Sequence, residues 1–186
     1  MLKRKNLFLL LITFVILLFL FGCSTQVSIE GETPGLDKEE VPAIKDLGRL
    51  EVHYIDVGQG DSILIKTPDG ETILIDAGGN RAAPTVTGYL RDLGIKKIDH
   101  VIGTHPHEDH IGGLDVVIKD FNIGEVYLPK ASHTSKSFED LLIAIKDKGL
   151  KIREAKEGVS LELAKEVNAV FVAPNSSNYE NLNDYS

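Results

Sequence analysis

The 186-residue sequence contains one cysteine, one methionine, no tryptophan and only 6% aromatic residues. A single thiol excludes an internal disulfide, so the fold must rest on a buried core rather than a covalent staple. Basic charge is also short: 20 Lys and Arg stand against 28 Asp and Glu, a formal net charge of -8. No cationic surface is evident of the kind that gains affinity along a duplex by neutralising phosphates. There is no internal repeat and no low-complexity segment, which argues against a solenoid or a biased linker protein. What is present is ordinary: 42% hydrophobic and 26% charged residues match globular averages and exclude disorder along the whole length.

The one long hydrophobic run is N-terminal. Lys3, Arg4 and Lys5 precede Leu7 to Phe21, a stretch broken only by Thr13, and this pattern reads as a targeting segment. It is shorter than the roughly 20 residues that span a bilayer comfortably. It ends at Leu20-Phe21-Gly22-Cys23-Ser24, which resembles a bacterial lipobox although Phe21 departs from the usual small or aliphatic residue. The expected organisation is therefore a lipoprotein signal peptide or signal anchor at residues 1–22, a polar tether at 23–48 and one folded domain at 49–186. Lipid on Cys23 or an uncleaved helix would hold that domain at the cell membrane on its extracytoplasmic side. Without the three N-terminal basic residues the chain carries 17 basic against 28 acidic groups, or -11.

Within the domain, alternation and turn chemistry predict strands at Leu50–Val57, Ser62–Thr67 and Thr72–Asp76, the last two joined by a Pro68-Asp69-Gly70 turn. Apolar spacing predicts helices at Thr85–Leu93, Leu114–Lys119 and Phe138–Lys148. Between them, Ile98–Thr104 and Glu125–Pro129 read as strands. Shorter strands are expected at Lys151–Glu154, Ser160–Leu163 and Val167–Ala173. Strands followed by alternating helices and strands indicate an α/β fold.

Directly after the Ile98–Thr104 strand comes Thr104-His105-Pro106-His107-Glu108-Asp109-His110-Ile111-Gly112-Gly113, three imidazoles and two carboxylates within six residues. Imidazole nitrogen and carboxylate oxygen are the donors that borderline divalent ions accept at catalytic sites. A loop at the carboxyl end of a strand is where α/β sheets carry such sites. His105 and His107 are expected to share one volume, with Asp109 and His110 serving a second ion. Glu108 is expected to face solvent. Asp76 has two readings, a support for the metal loop or a turn-former before Ala77-Gly78-Gly79. His53 and His100 read as structural. His133 follows a strand's carboxyl end and either approaches a substrate or is incidental, and Asp61 either falls near the site or only caps a turn.

The run His105-x-His107-x-Asp109-His110 resembles the HxHxDH signature of the metallo-β-lactamase fold. Tyr54-Ile55-Asp56-Val57-Gly58-Gln59-Gly60-Asp61-Ser62 and Ile75-Asp76-Ala77-Gly78-Gly79 are similar to the opening motifs of its ComEC-like branch, named for the extracytoplasmic domain of a DNA-uptake protein. The resemblance implies an αββα sandwich of which residues 49–186 supply the first half. A Gly-Asp pair and a downstream histidine of the family pattern are missing, and Asn181–Ser186 resembles the start of the strand opening the second half. The sequence is accordingly expected to be a fragment. The resemblance further implies two divalent ions, zinc or else manganese, held by His105, His107, Asp109 and His110. Asp109 would double as the residue that orients an attacking, metal-activated water. The implied activity is hydrolysis of a phosphodiester or nucleic acid. Alternatives are hydrolysis of a lactone, lactam or thioester, or an inactive surface binding protein.

Overall fold

A β-hairpin opens the domain, with β1 (Glu51–Tyr54) antiparallel to β2 (Ile63–Lys66) and β2 antiparallel to β3 (Thr72–Ile75). The computed structural model describes residues 48–163 and 167–186, so the segments expected to be a signal or anchor and a tether, Cys23 among them, lie outside the described residues except for Gly48. All described residues belong to one compact unit, Pro42–Ser186. Among them, no helix is long and apolar enough to cross a membrane.

After the hairpin the chain changes habit. Helix α1 (Ala83–Asp92), with Pro84 in its first turn, leads into β4 (Lys97–Ile102), which lies parallel to β3. The helices α2 (Glu108–Ile111) and α3 (Leu114–Asp120) precede β5 (Asn122–Leu128), and α4 (Lys136–Asp147) precedes β6 (Ile152–Glu154), both strands again parallel to their neighbours. The result is a six-stranded sheet in the order β1-β2-β3-β4-β5-β6. A separate pair, β7 (Ser160–Leu161) and β8 (Ala169–Val170), is antiparallel.

The sheet is apolar on both faces, as the near-continuous hydrophobic character of β3 to β5 requires. Leu64, Leu74, Val101 and Val126 point to one side and pack with Val86 and Leu90 of α1, Leu114, Val117 and Ile118 of α3, and Leu141 and Ile145 of α4. Ile73, Ile102 and Tyr127 point the other way, where Ala155, Leu161 and Phe171 pack against them and leave a largely apolar cavity of about 300 Å³. This is the α/β arrangement expected, one sheet with helices on one face.

The motif after β4 begins as the expected loop at His105 and His107, and its second half winds into α2, where the carbonyl of His107 accepts from the amides of His110 and Ile111. Glycine lets the end of this turn pack closely on the chain after β3: a side chain at Gly113 would collide with the Ala77 backbone, and at Gly112 with Asn80. Asn181–Ser186 does not begin a strand. Leu182–Tyr185 forms a 3₁₀ turn capped by Asn181, whose side-chain oxygen accepts from Asn183 N, while Tyr185 is buried and its hydroxyl donates to the Ser177 carbonyl.

Gly60 shows how tightly the β1–β2 loop is seated on this motif. Its φ is +97°, and an added Cβ would lie 1.7 Å from the carbonyl oxygen of Asp109, whereas Gly70, at φ +95°, has open space. Gly70→Ala should therefore cost only the left-handed conformation, about 1–2 kcal/mol. Gly60→Ala adds a backbone collision and should cost at least about 3 kcal/mol in urea unfolding. Equal costs for the two variants would show that the loop does not press on α2.

Candidate metal centre

Three segments converge at the carboxyl ends of β3 and β4. The chain leaving β3 bonds to the motif through Ala77 N to His110 O and Gly113 N to Gly78 O, and to the β1–β2 loop through Gly78 N to Asp61 O. Asp76, the residue at the turn, adopts φ +57°, a left-handed conformation that aspartate tolerates better than most residues. Its carboxylate is 1% exposed. A carboxylate buried to that degree needs donors, and Asp76 has three: Thr104 N at 2.8 Å, Thr104 Oγ1 at 2.6 Å and His110 Nδ1 at 2.9 Å. Of the two readings the sequence allowed for Asp76, the structure shows the support for the motif.

These bonds decide which ring nitrogens carry protons. An ionised carboxylate only accepts, so His110 Nδ1 is the protonated nitrogen and its Nε2 keeps a lone pair. Thr104 spends its hydroxyl proton on Asp76, so its oxygen accepts from His105 Nδ1 at 3.1 Å and His105 Nε2 keeps a lone pair as well. That Nε2 is buried without a hydrogen-bond partner. His107 is met at Nδ1 by the side-chain amide of Asn183 at 2.9 Å, a group offering either an acceptor or a donor, so this contact sets no tautomer.

The imidazoles are clustered. Ring centroids of His105 and His110 lie 4.1 Å apart, and those of His105 and His107 4.8 Å apart. Asp109 stands at the rim, its Oδ2 accepting from Gln59 Nε2 at 3.2 Å. As they stand, no three His, Cys, Asp or Glu side chains among the described residues close around a single point as a metal would require. The rings of His107 and His110 are instead turned toward Asn183 and Asp76. The donor chemistry nonetheless fits a divalent ion: an orphaned buried imidazole nitrogen beside a second lone pair of the same type, with carboxylate at the rim. Orienting bonds to the non-ligating nitrogen are the usual outer support of such sites.

Charge follows the same geometry. Burial, with the neighbouring His110, pushes His105 below the ordinary histidine range, whereas the hydrogen bond to Asp76 raises His110 above it against the opposing desolvation. Desolvation opposes ionisation of Asp109, but the bond from Gln59 and the nearby histidines bring its carboxyl below the usual range.

Other residues sort as follows. Glu108 is exposed as expected, yet its carboxylate accepts from Asn80 N at 2.9 Å, and Asn80 Oδ1 accepts from Ser137 Oγ at 3.3 Å, tying α2 to α4. His53 pairs with Tyr89, and His100 is buried beside Tyr127 on the far face of the sheet. Asp61 lies 3.7 Å from His110, close to the site. His133 is brought next to the cluster, its ring centroid 5.9 Å from that of His107 at 86°. Gln59 and Asn183 were not singled out from sequence, and no spacing rule reveals either, because each reaches the motif from a loop remote in the chain.

A family model described as the metallo-beta-lactamase superfamily matches residues 55–176. The chain belongs to the metallo-beta-lactamase superfamily. It is 32% identical to ComE operon protein 3 of Bacillus subtilis over 130 residues, 61% of this chain and 17% of that protein, in agreement with the ComEC-like opening motifs. Over 101 residues it is 39% identical to ribonuclease J of Synechocystis, covering 49% of this chain and 15% of the relative. The chain thus spans about a sixth of the length of these curated relatives. Among solved structures, a metallo-beta-lactamase of Elizabethkingia meningoseptica is 20% identical, with a TM-score of 0.44, over 74% of this chain and 54% of that one.

In the metal-free superfamily domain, NMR titration should find His110 titrating above, and His105 below, an ordinary histidine. A raised folded-state pKa stabilises the fold below the unfolded value near 6.5 and loses that contribution as pH rises through the folded value. A lowered one works in reverse: His105 costs stability as pH falls from the unfolded value toward its folded one. Asp76→Asn should bring His110 down toward the ordinary range; an unchanged His110 would mean that Asp76 does not hold it.

Proposed function

We propose that this protein is a divalent-metal-dependent hydrolase acting on phosphodiesters, nucleic acid among them. The observation that carries the reading is the Asp76 relay, which leaves the Nε2 lone pairs of His105 and His110 directed away from their supports while His105 Nε2 is buried with no partner. His105, His107, Asp109 and His110 would hold the ions, two of them with zinc foremost and manganese the other choice. When bound, such ions lower the pKa of water toward neutrality and take up negative charge on the attacked group.

The chain's own residues supply the rest. Asp76, through Thr104 and directly, keeps two imidazoles in one tautomer, so neither must reorganise as charge develops. Asp109, held by Gln59 and kept ionised, would orient an attacking water by accepting a hydrogen bond from it. The ribonuclease relative supports a phosphodiester substrate, since its name states action on RNA. The acidic composition favours short or single strands over a long duplex, because the affinity must come from the site and not from a basic surface.

The proposed setting is the extracytoplasmic face of the cell membrane, supported by the basic residues, apolar run and Cys23 of the N-terminal segment. Globomycin treatment should leave the precursor unprocessed if Cys23 is lipidated.

The intact protein, loaded with metal, should hydrolyse bis-p-nitrophenyl phosphate, and His107→Ala should abolish turnover and lower bound metal while circular dichroism shows a folded domain. Turnover retained in that variant would remove the site assignment. Hydrolysis of a β-lactam, lactone or thioester with no action on the diester would replace phosphodiesterase by carbonyl chemistry on the same fold. No turnover of either class would favour a binding protein.

A further inference from the structure

The β5–α4 loop brings one histidine to the cluster that the metal reading does not use. His133 is exposed, and its ring stands edge-on to His107, with centroids 5.9 Å apart. Its Nδ1 lies 3.3 Å from the backbone N of Ser135. A backbone N–H can only donate, so Nδ1 is the acceptor and the proton of the neutral ring sits on Nε2. His133 is thus set in the tautomer opposite to those of His105 and His110. Their free nitrogens offer lone pairs, whereas His133 offers a hydrogen. Among the described residues that Nε2–H has no protein partner.

The loop is anchored where it enters α4. Ser135 caps α4, accepting from Phe138 N, and Ser137 in the first turn bonds Asn80, which in turn binds Glu108 of α2. The loop is therefore tied to the same helix that carries Asp109 and His110. Lys130, on the same loop, is exposed and makes no ion pair among the described residues, but the polar cavity of about 440 Å³ that it lines also carries Glu154 and Glu157, so the donor role falls to His133 alone. An N–H donor without a protein partner beside a metal-ligand cluster matches an anionic oxygen.

We propose that His133 is a substrate-binding residue whose Nε2–H donates a hydrogen bond to a non-bridging oxygen of a phosphodiester lying over the His105–His107–Asp109–His110 cluster. The identity of that oxygen rests on the phosphodiesterase reading; the donor role rests on the ring geometry. No proton is transferred, so His133 acts by positioning the diester and by holding charge on its oxygen.

The test compares full-length, metal-loaded wild type with His133→Ala and His133→Gln, using bis-p-nitrophenyl phosphate and elemental analysis. Loss of one hydrogen bond to a charged oxygen should raise KM about tenfold in His133→Ala, with a smaller fall in kcat. Metal content should be unchanged, and His133→Gln, which restores an N–H at similar reach, should recover part of the KM. An unchanged KM, or loss of metal in His133→Ala, would overturn the assignment, the latter by making His133 a ligand. A second readout does not need turnover: dimethyl phosphate should shift the His133 Nε2 resonance of wild type. A shift without any diester hydrolysis would end the phosphodiesterase reading and leave this inference standing. Normal hydrolysis with an unmoved resonance would do the opposite.

Discussion

The buried carboxylate of Asp76 is the constraint on which the site depends. It lies where β3 gives way to the next loop and holds both Thr104, the residue leaving β4, and His110, on the helix that follows. One group therefore fixes the entry and the exit of the motif. An ionised carboxylate with almost no solvent access is costly unless its oxygens are satisfied, and here three donors satisfy them. The tautomers of two imidazoles follow from that satisfaction. The positive φ of Asp76 is a local cost, offset by the bonds it allows.

The fold supplies the setting for this carboxylate. Parallel pairing of β3 with β4 brings Ile75 opposite Ile102, so the segments after both strands emerge side by side at one end of the sheet. The parallel register of β4 with β5 brings the β5–α4 loop to the same end, which is how His133 reaches His107. Apolar side chains cover the middle of the sheet on both faces, so its ends are the places for polar chemistry. Close backbone approaches at Gly60, Gly112 and Gly113 then press the three segments together, and larger residues there would hold them apart.

Much of this was legible in the sequence, for identifiable reasons. The strands around Leu64, Leu74 and Val101, and helix α4 with Leu141 and Ile145 at helical spacing, announce themselves by hydrophobic period. The histidine cluster is visible because its donors are contiguous in the chain. Residues that join the site from far away were harder to see. Gln59 is 50 positions from Asp109 and Asn183 is 76 from His107, and no local pattern marks either. Asp76 was ambiguous because an aspartate before glycines suits a turn as well as a hydrogen-bonding support; only its burial beside Thr104 separates the two. The helical turn Glu108–Ile111 has no signal of its own in the sequence, because a helix of four residues is too short to show a period. The final residues resembled a strand, yet asparagine capping and the burial of Tyr185 favoured a 3₁₀ turn.

The most direct test of the account is calorimetric titration of zinc into the metal-free protein, wild type against Asp76→Ala. If the carboxylate positions the ligating imidazoles, wild type should bind zinc and the variant should bind it about 10–100-fold more weakly. Equal affinity in the two proteins, or no binding in wild type, would contradict the claim that Asp76 builds a metal site.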